Sequence, residues 1–171
     1  MKFYTAQFSQ VRYLEPNMIP FSTAAGEPDW FHEGNDRGYT FIDKRGVING
    51  LIAKPLLLDT KEADKLFATN NGCSKNCKFT YIIPHCPFMN MYLSQLRKLD
   101  FTRVISWFDE QCKRVKEQLR FNGEPIVILL VYENAAVNCA ERPVIQQYFK
   151  ENGVDVEEFT KDLFTKYNLF C

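Results

Sequence analysis

The sequence has no surplus of charge of either sign. Lys and Arg number 21, Asp and Glu number 21, and the formal net charge is zero. A chain holding nucleic acid mainly by counterion release would carry a basic excess, so a nonspecific nucleic-acid coat is excluded, although a local basic patch is not. Histidine is scarce: His32 and His85 are the only two. There is no Walker-type phosphate loop, no Rossmann glycine fingerprint and no Gly-x-Ser-x-Gly elbow. Nucleoside-triphosphate hydrolysis, dinucleotide redox chemistry and esterase chemistry therefore find no support. Long apolar runs are also missing. The longest, Ile126 to Tyr132, is far too short to span a bilayer, so no membrane partner is expected. Met1-Lys2-Phe3-Tyr4 runs straight into strand-like sequence, and no signal peptide is expected. A cytoplasmic, reducing location follows as the expectation. The six cysteines, Cys73, Cys77, Cys86, Cys112, Cys139 and Cys171, then read as free thiols or metal ligands rather than disulfides.

What is present is globular. Hydrophobic residues make up 46% and charged residues 25% of 171 residues, which suits one ordinary domain. Fifteen phenylalanines imply a large aromatic core; the alternative is a surface that stacks bases or docks a partner. Lys2 to Phe8 reads as a first strand and Met18 to Ser22 as a second short apolar run. Gly34 to Gly50, rich in Gly, Asn, Asp and Lys, opens a long irregular insert at about 34–87. Within it, Asp59 to Thr69 has helical character, with Asp59 and Glu62 resembling a capping pair. Phe88 to Leu99 restores helical spacing. From Thr102 to Phe121 the residues Val104, Ile105, Phe108, Cys112, Val115 and Leu119 repeat at three- and four-residue steps, which predicts a helix with Cys112 as a small core residue. Ile126 to Val131 is continuously apolar, the mark of a strand buried on both faces of a parallel sheet. A helix is expected from about Pro143 to Asn152, then a short strand, then a helix with Phe159, Leu163, Phe164 and Tyr167 inward. Together these predict an α/β fold, a single three-layer domain with a mainly parallel sheet flanked by helices.

In such folds ligands bind beyond the carboxyl ends of the strands, near helix N-termini. Here the central strand ends at Glu133, a loop follows from Asn134, and Cys139-Ala140-Glu141-Arg142 leads to Pro143. Proline at a helix start pushes the preceding residue out of the α region, so Cys139 to Arg142 is expected to be a turn at the helix mouth. That position favours an anion. Arg142 would offer a planar donor fork to it, with Glu141 and Asn134 close by. Cys139 is a candidate nucleophile, since a thiol facing a helix N-terminus ionises more readily. Glu133 is a candidate general base. The alternative is structural: Glu133 and Arg142 clamp the loop and Cys139 is packed and inert.

Several of these residues resemble the domain-of-unknown-function 488 family. The resemblance is carried by Tyr4-Thr5, Phe8, Leu14, Pro16-Asn17, Ile19-Pro20 and Pro28-Asp29-Trp30 at one end. Tyr92, Gln95-Leu96 and Leu99-Asp100-Phe101 carry it in the middle. Tyr132-Glu133, Cys139 to Arg142 and Gly153 carry it at the other end. It implies an α/β domain found mainly in bacteria and their phages, without an established activity. The family's typical Cys-His-Arg turn is replaced here by Cys139-Ala140-Glu141-Arg142, so a histidine base at that turn is not carried over. Glu133, Cys139 and Arg142 are carried over, with Asp29 as a third candidate catalytic group and Trp30 as a stacking platform.

These residues lead to two expectations. One is a domain that binds or modifies a phosphate-bearing nucleotide or nucleic-acid component, an anionic ligand, at the carboxyl edge of the sheet. The other is a non-catalytic interaction module of phage or bacterial origin that uses the insert as its contact surface. No cofactor is expected. Zinc on Cys73, Cys77, His85 and Cys86 is an alternative, but its spacing is not the tight paired pattern of a zinc site. His32 is a conceivable partner for the Cys139 thiol. The oligomeric state is left open.

Overall fold

Ile126–Val131 (β5) is the axis of the molecule. Its buried side chains alternate between two apolar layers: Val127 and Leu129 face one, Ile128 and Leu130 the other. This computed structural model describes residues 1–24, 28, 31, 39–43, 46–68, 86–132 and 141–161. The other strands are β1 (Lys2–Gln7), β2 (Met18–Ser22), β3 (Tyr39–Asp43), β4 (Gly46–Ile52) and β6 (Val156–Glu158). The sheet order is β3-β4-β2-β5-β1-β6. Every neighbouring pair is parallel except β3 with β4, so five strands run one way and β3 is an antiparallel edge.

Four helices are described: α1 (Thr60–Ala68), α2 (Pro87–Leu96), α3 (Phe101–Leu119) and α4 (Glu141–Glu151). Leu93, Leu96, Val104, Phe108, Val144 and Phe149 from α2, α3 and α4 close over Phe3, Phe21, Val127 and Leu129 on one face. The other face is covered by the 3-10 helix Phe8–Tyr13, with Phe8, Val11, Leu14, Phe31 and Phe159 packed on Ile128 and Leu130. Helices thus flank both faces, the three-layer arrangement that the continuous apolarity of β5 predicts. Among the described residues no helix is long and apolar enough to cross a membrane.

Local signals explain the boundaries. The Asp100 carboxylate accepts from the backbone N–H groups of Thr102 (3.0 Å) and Arg103 (3.3 Å), starting α3. α3 ends at Arg120, held in the left-handed region at φ 52°, where its N–H donates to the Lys116 carbonyl. α4 ends on Gly153 at φ 79°, with Val154 N–H donating back to the Phe149 carbonyl (3.0 Å).

Two expectations are corrected. The insert at 34–87 is not irregular throughout: β3 and β4 pair as an antiparallel ladder, and β4 joins the main sheet beside β2. The β-forming residues Tyr39 to Ile42 and Val47, Ile48, Leu51 and Ile52 outweigh the interspersed Gly and Asn. The helix expected from about Pro143 begins at Glu141, which puts Arg142 inside its first turn. Proline is tolerated as the third helical residue because first-turn N–H groups lack intrahelical partners in any case.

Candidate functional site

Parallel strands bring their carboxyl ends to one edge, and here Gln7, Ser22, Ile52, Val131 and Glu158 end their strands there. The neighbours β1 and β5 send their connections to opposite faces. After β1 the chain forms the 3-10 helix on one face and reaches β2. After β5 it forms α4 on the other face and reaches β6. Adjacent strands whose connections part in this way open a crevice outside their carboxyl ends. At its rim Tyr132 is 55% exposed, its ring centroid 6.1 Å from that of Phe8. The Gln7 side-chain amide donates to the Tyr132 carbonyl at 3.4 Å.

Beside the crevice, between β1, β6 and the first turns of α4, lies a polar network. Thr5 points to the same face as Phe3 and is fully buried. Its hydroxyl accepts from Gln146 Nε2 at 2.8 Å and donates to Glu158 Oε2 at 2.6 Å. Arg142, 5% exposed, places Nε 2.7 Å from the same Oε2. Burial raises the Glu158 carboxyl above its ordinary value, and the pull of Thr5 and Arg142 in the other direction does not cancel that. Gln146 also lines a groove of about 540 Å³ with Pro143, Gln147, Lys150, Val156 and Glu157, so open space adjoins the network.

The segment chosen from the sequence, strand β5 through α4, does meet this edge, but its members are placed unevenly. Arg142 is not at the helix mouth with an unmatched charge: it is buried against Glu158. Glu141 opens α4 as an acidic residue in the first turn, which already offsets the helix dipole. Its carboxylate lies close enough to Tyr92 to add to burial in pushing that hydroxyl well above its ordinary value. Glu133, Asn134, Cys139, Asp29 and Trp30 lie outside the described residues, as do His32, Cys73, Cys77 and His85. Cys86 is described: it is a buried free thiol just before α2. Among the described residues no group of three or more His, Cys, Asp or Glu is placed to hold a metal ion. In α3, burial pushes the Cys112 thiol to about 12, as befits a core residue.

Sequence reading missed Thr5, Gln7, Tyr132, Gln146 and Glu158 as site residues. Glu158 carried a faint signal. Val154, Val156 and Glu158 alternate, which aims a carboxylate at the same face as two valines. Tyr132, an aromatic at the very end of the central strand, was another.

No family model, curated protein or solved structure matches the chain. The resemblance noted above therefore rests on the quoted residues alone. The association with nucleotides or nucleic acid, and with bacteria or phages, is corrected on two counts. No matching protein carries it, and the cation assigned to a phosphate is taken up by Glu158.

Proposed function

We propose that this chain binds a small molecule in the crevice outside the carboxyl ends of β1 and β5. The observation that carries the reading is the polar network of Thr5, Arg142, Gln146 and Glu158 between β1, β6 and α4, beside the point where the connections of β1 and β5 part. Burying an ion pair and a threonine hydroxyl costs desolvation that an apolar cluster would avoid. A fold that needed only packing there gains little from it. Tyr132 supplies an apolar, exposed ring for a ligand to lie against. The protein is taken to work in a reducing compartment, supported by Cys86 and Cys112 being free thiols.

Thermal unfolding against a panel of metabolites, for wild type and Tyr132→Ala, tests the reading. A ligand at a hundred times its Kd stabilises by about 2.7 kcal/mol. At roughly 2–4 °C per kcal/mol for a chain of this size, the shift is plainly visible. The expected result is a shift in wild type that falls by at least half in Tyr132→Ala. A ligand whose shift ignores both Tyr132→Ala and Gln7→Ala binds elsewhere, and the crevice reading is then abandoned.

A further inference from the structure

Within the reading just given, and resting on it, we propose that Glu158 Oε1 is the group that receives the ligand. The site would then take a neutral, hydroxyl-bearing small molecule rather than an anion. The two oxygens of this carboxylate are not equivalent. Oε2 accepts from the Thr5 hydroxyl and is the oxygen paired with the Arg142 charge, 2.7 Å from Nε. Oε1 has no partner among the described residues, and the side chain keeps 22% of its surface exposed. A carboxylate anchored through one oxygen holds the other in a fixed direction, with little rotamer freedom left to lose on binding.

Charge decides what that oxygen faces. Arg142 from α4 is the charged group in contact with Glu158, and the two sum to zero. Among the described residues, the Thr5 hydroxyl from β1 also touches Glu158, and Gln146 from α4 reaches it through Thr5; both are neutral. An incoming anion would meet the carboxylate oxygen of a neutral pair and gain nothing. An incoming ammonium would meet the Arg142 charge a few ångströms behind Oε2. A hydroxyl meets an ionised acceptor at no cost in repulsion, the stronger class of hydrogen bond.

The test uses the full chain with ¹³C-labelled glutamate side chains. Loss of one carboxyl signal in Glu158→Gln identifies Glu158. The probes are ribose, myo-inositol and glycerol, with ribose 5-phosphate and inorganic phosphate as their anionic counterparts. At least one neutral probe is expected to move the Glu158 signal and the melting temperature together. Glu158→Asp, which keeps the ion pair but withdraws the oxygen, is expected to weaken that binding tenfold or more. Neutral probes that bind with the Glu158 signal unmoved and unaltered affinity in Glu158→Asp overturn the proposal and leave the crevice standing. So does binding of the phosphorylated probe alone. If no compound binds in the crevice, neither neutral nor anionic, the crevice reading fails and this proposal with it.

Discussion

Two carboxylates sit on opposite sides of their ordinary titration range, and stability responds to them in opposite senses. Hydrogen bonds from Arg97, then from Gln147, hold Glu151 down at about 2. Its contribution is fully present above the ordinary carboxylate range and is lost as pH falls from there toward about 2. The Arg97 side chain is 54% exposed, so the effect is a surface ion pair's, on the order of 0.2–1 kcal/mol. Glu158 has its native value raised, so its contribution is fully present below the ordinary range and shrinks as pH rises through the native value. Urea unfolding of wild type, Glu151→Gln and Glu158→Gln from neutral pH down to about 2 reads both signs. The gap between wild type and Glu151→Gln should close on acidification, and the gap to Glu158→Gln should narrow on going from acid to neutral. Two gaps moving the same way would contradict the assignment.

At the scale of elements, α3 shows how closely a sequence can prescribe a helix. Its apolar stripe places Val104, Phe108, Cys112 and Val115 in the core, and Asp100 occupies the cap with its side chain on two orphan N–H groups. Asp100→Ala should cost about 0.5–2 kcal/mol in urea denaturation, while Asp100→Ser should be nearly neutral. A neutral alanine would mean that the cap contributes nothing. β5 was equally legible, because an unbroken apolar run admits no solvent-facing side. The β3–β4 pair was not, because Gly46, Asn49 and Gly50 imitate a loop and the pairing that stabilises the strands is tertiary. The start of α4 was missed by two residues, since Pro143 is compatible with either position in the first turn. The network around Glu158 was out of reach for a different reason. Thr5 and Glu158 lie 153 residues apart, and only the parallel register of β1 with β6 brings them opposite each other. The sequence pointed to the carboxyl edge of the sheet, through β5 and the helix after it, which is also the edge proposed here. It assigned Arg142 the wrong company, because no pattern near Arg142 announces a carboxylate on another strand.

At the scale of the whole molecule, stability should follow the sheet from its centre outward. Leu129 is fully buried in the middle of β5, and Leu129→Ala should cost about 2–5 kcal/mol through lost burial and the cavity left behind. Val156 on the three-residue edge strand β6 is only partly buried, and Val156→Ala should cost distinctly less. Chemical denaturation of both variants ranks them. An equal cost would mean that β6 is as integral to the core as β5.

The order β5-β1-β6 has a consequence for how the chain comes into being. β1 is made before the other described strands, yet both of its neighbours lie more than a hundred residues later. As the polypeptide leaves the ribosome, at about 5–20 residues per second, Lys2–Gln7 waits with both hydrogen-bonding edges bare until residues 126–131 and then 156–158 have emerged. The centre of the sheet cannot close until residues 126–131 have been made. A ribosome stalled before residue 126 holds out an unsatisfied strand ready to pair with the wrong neighbour.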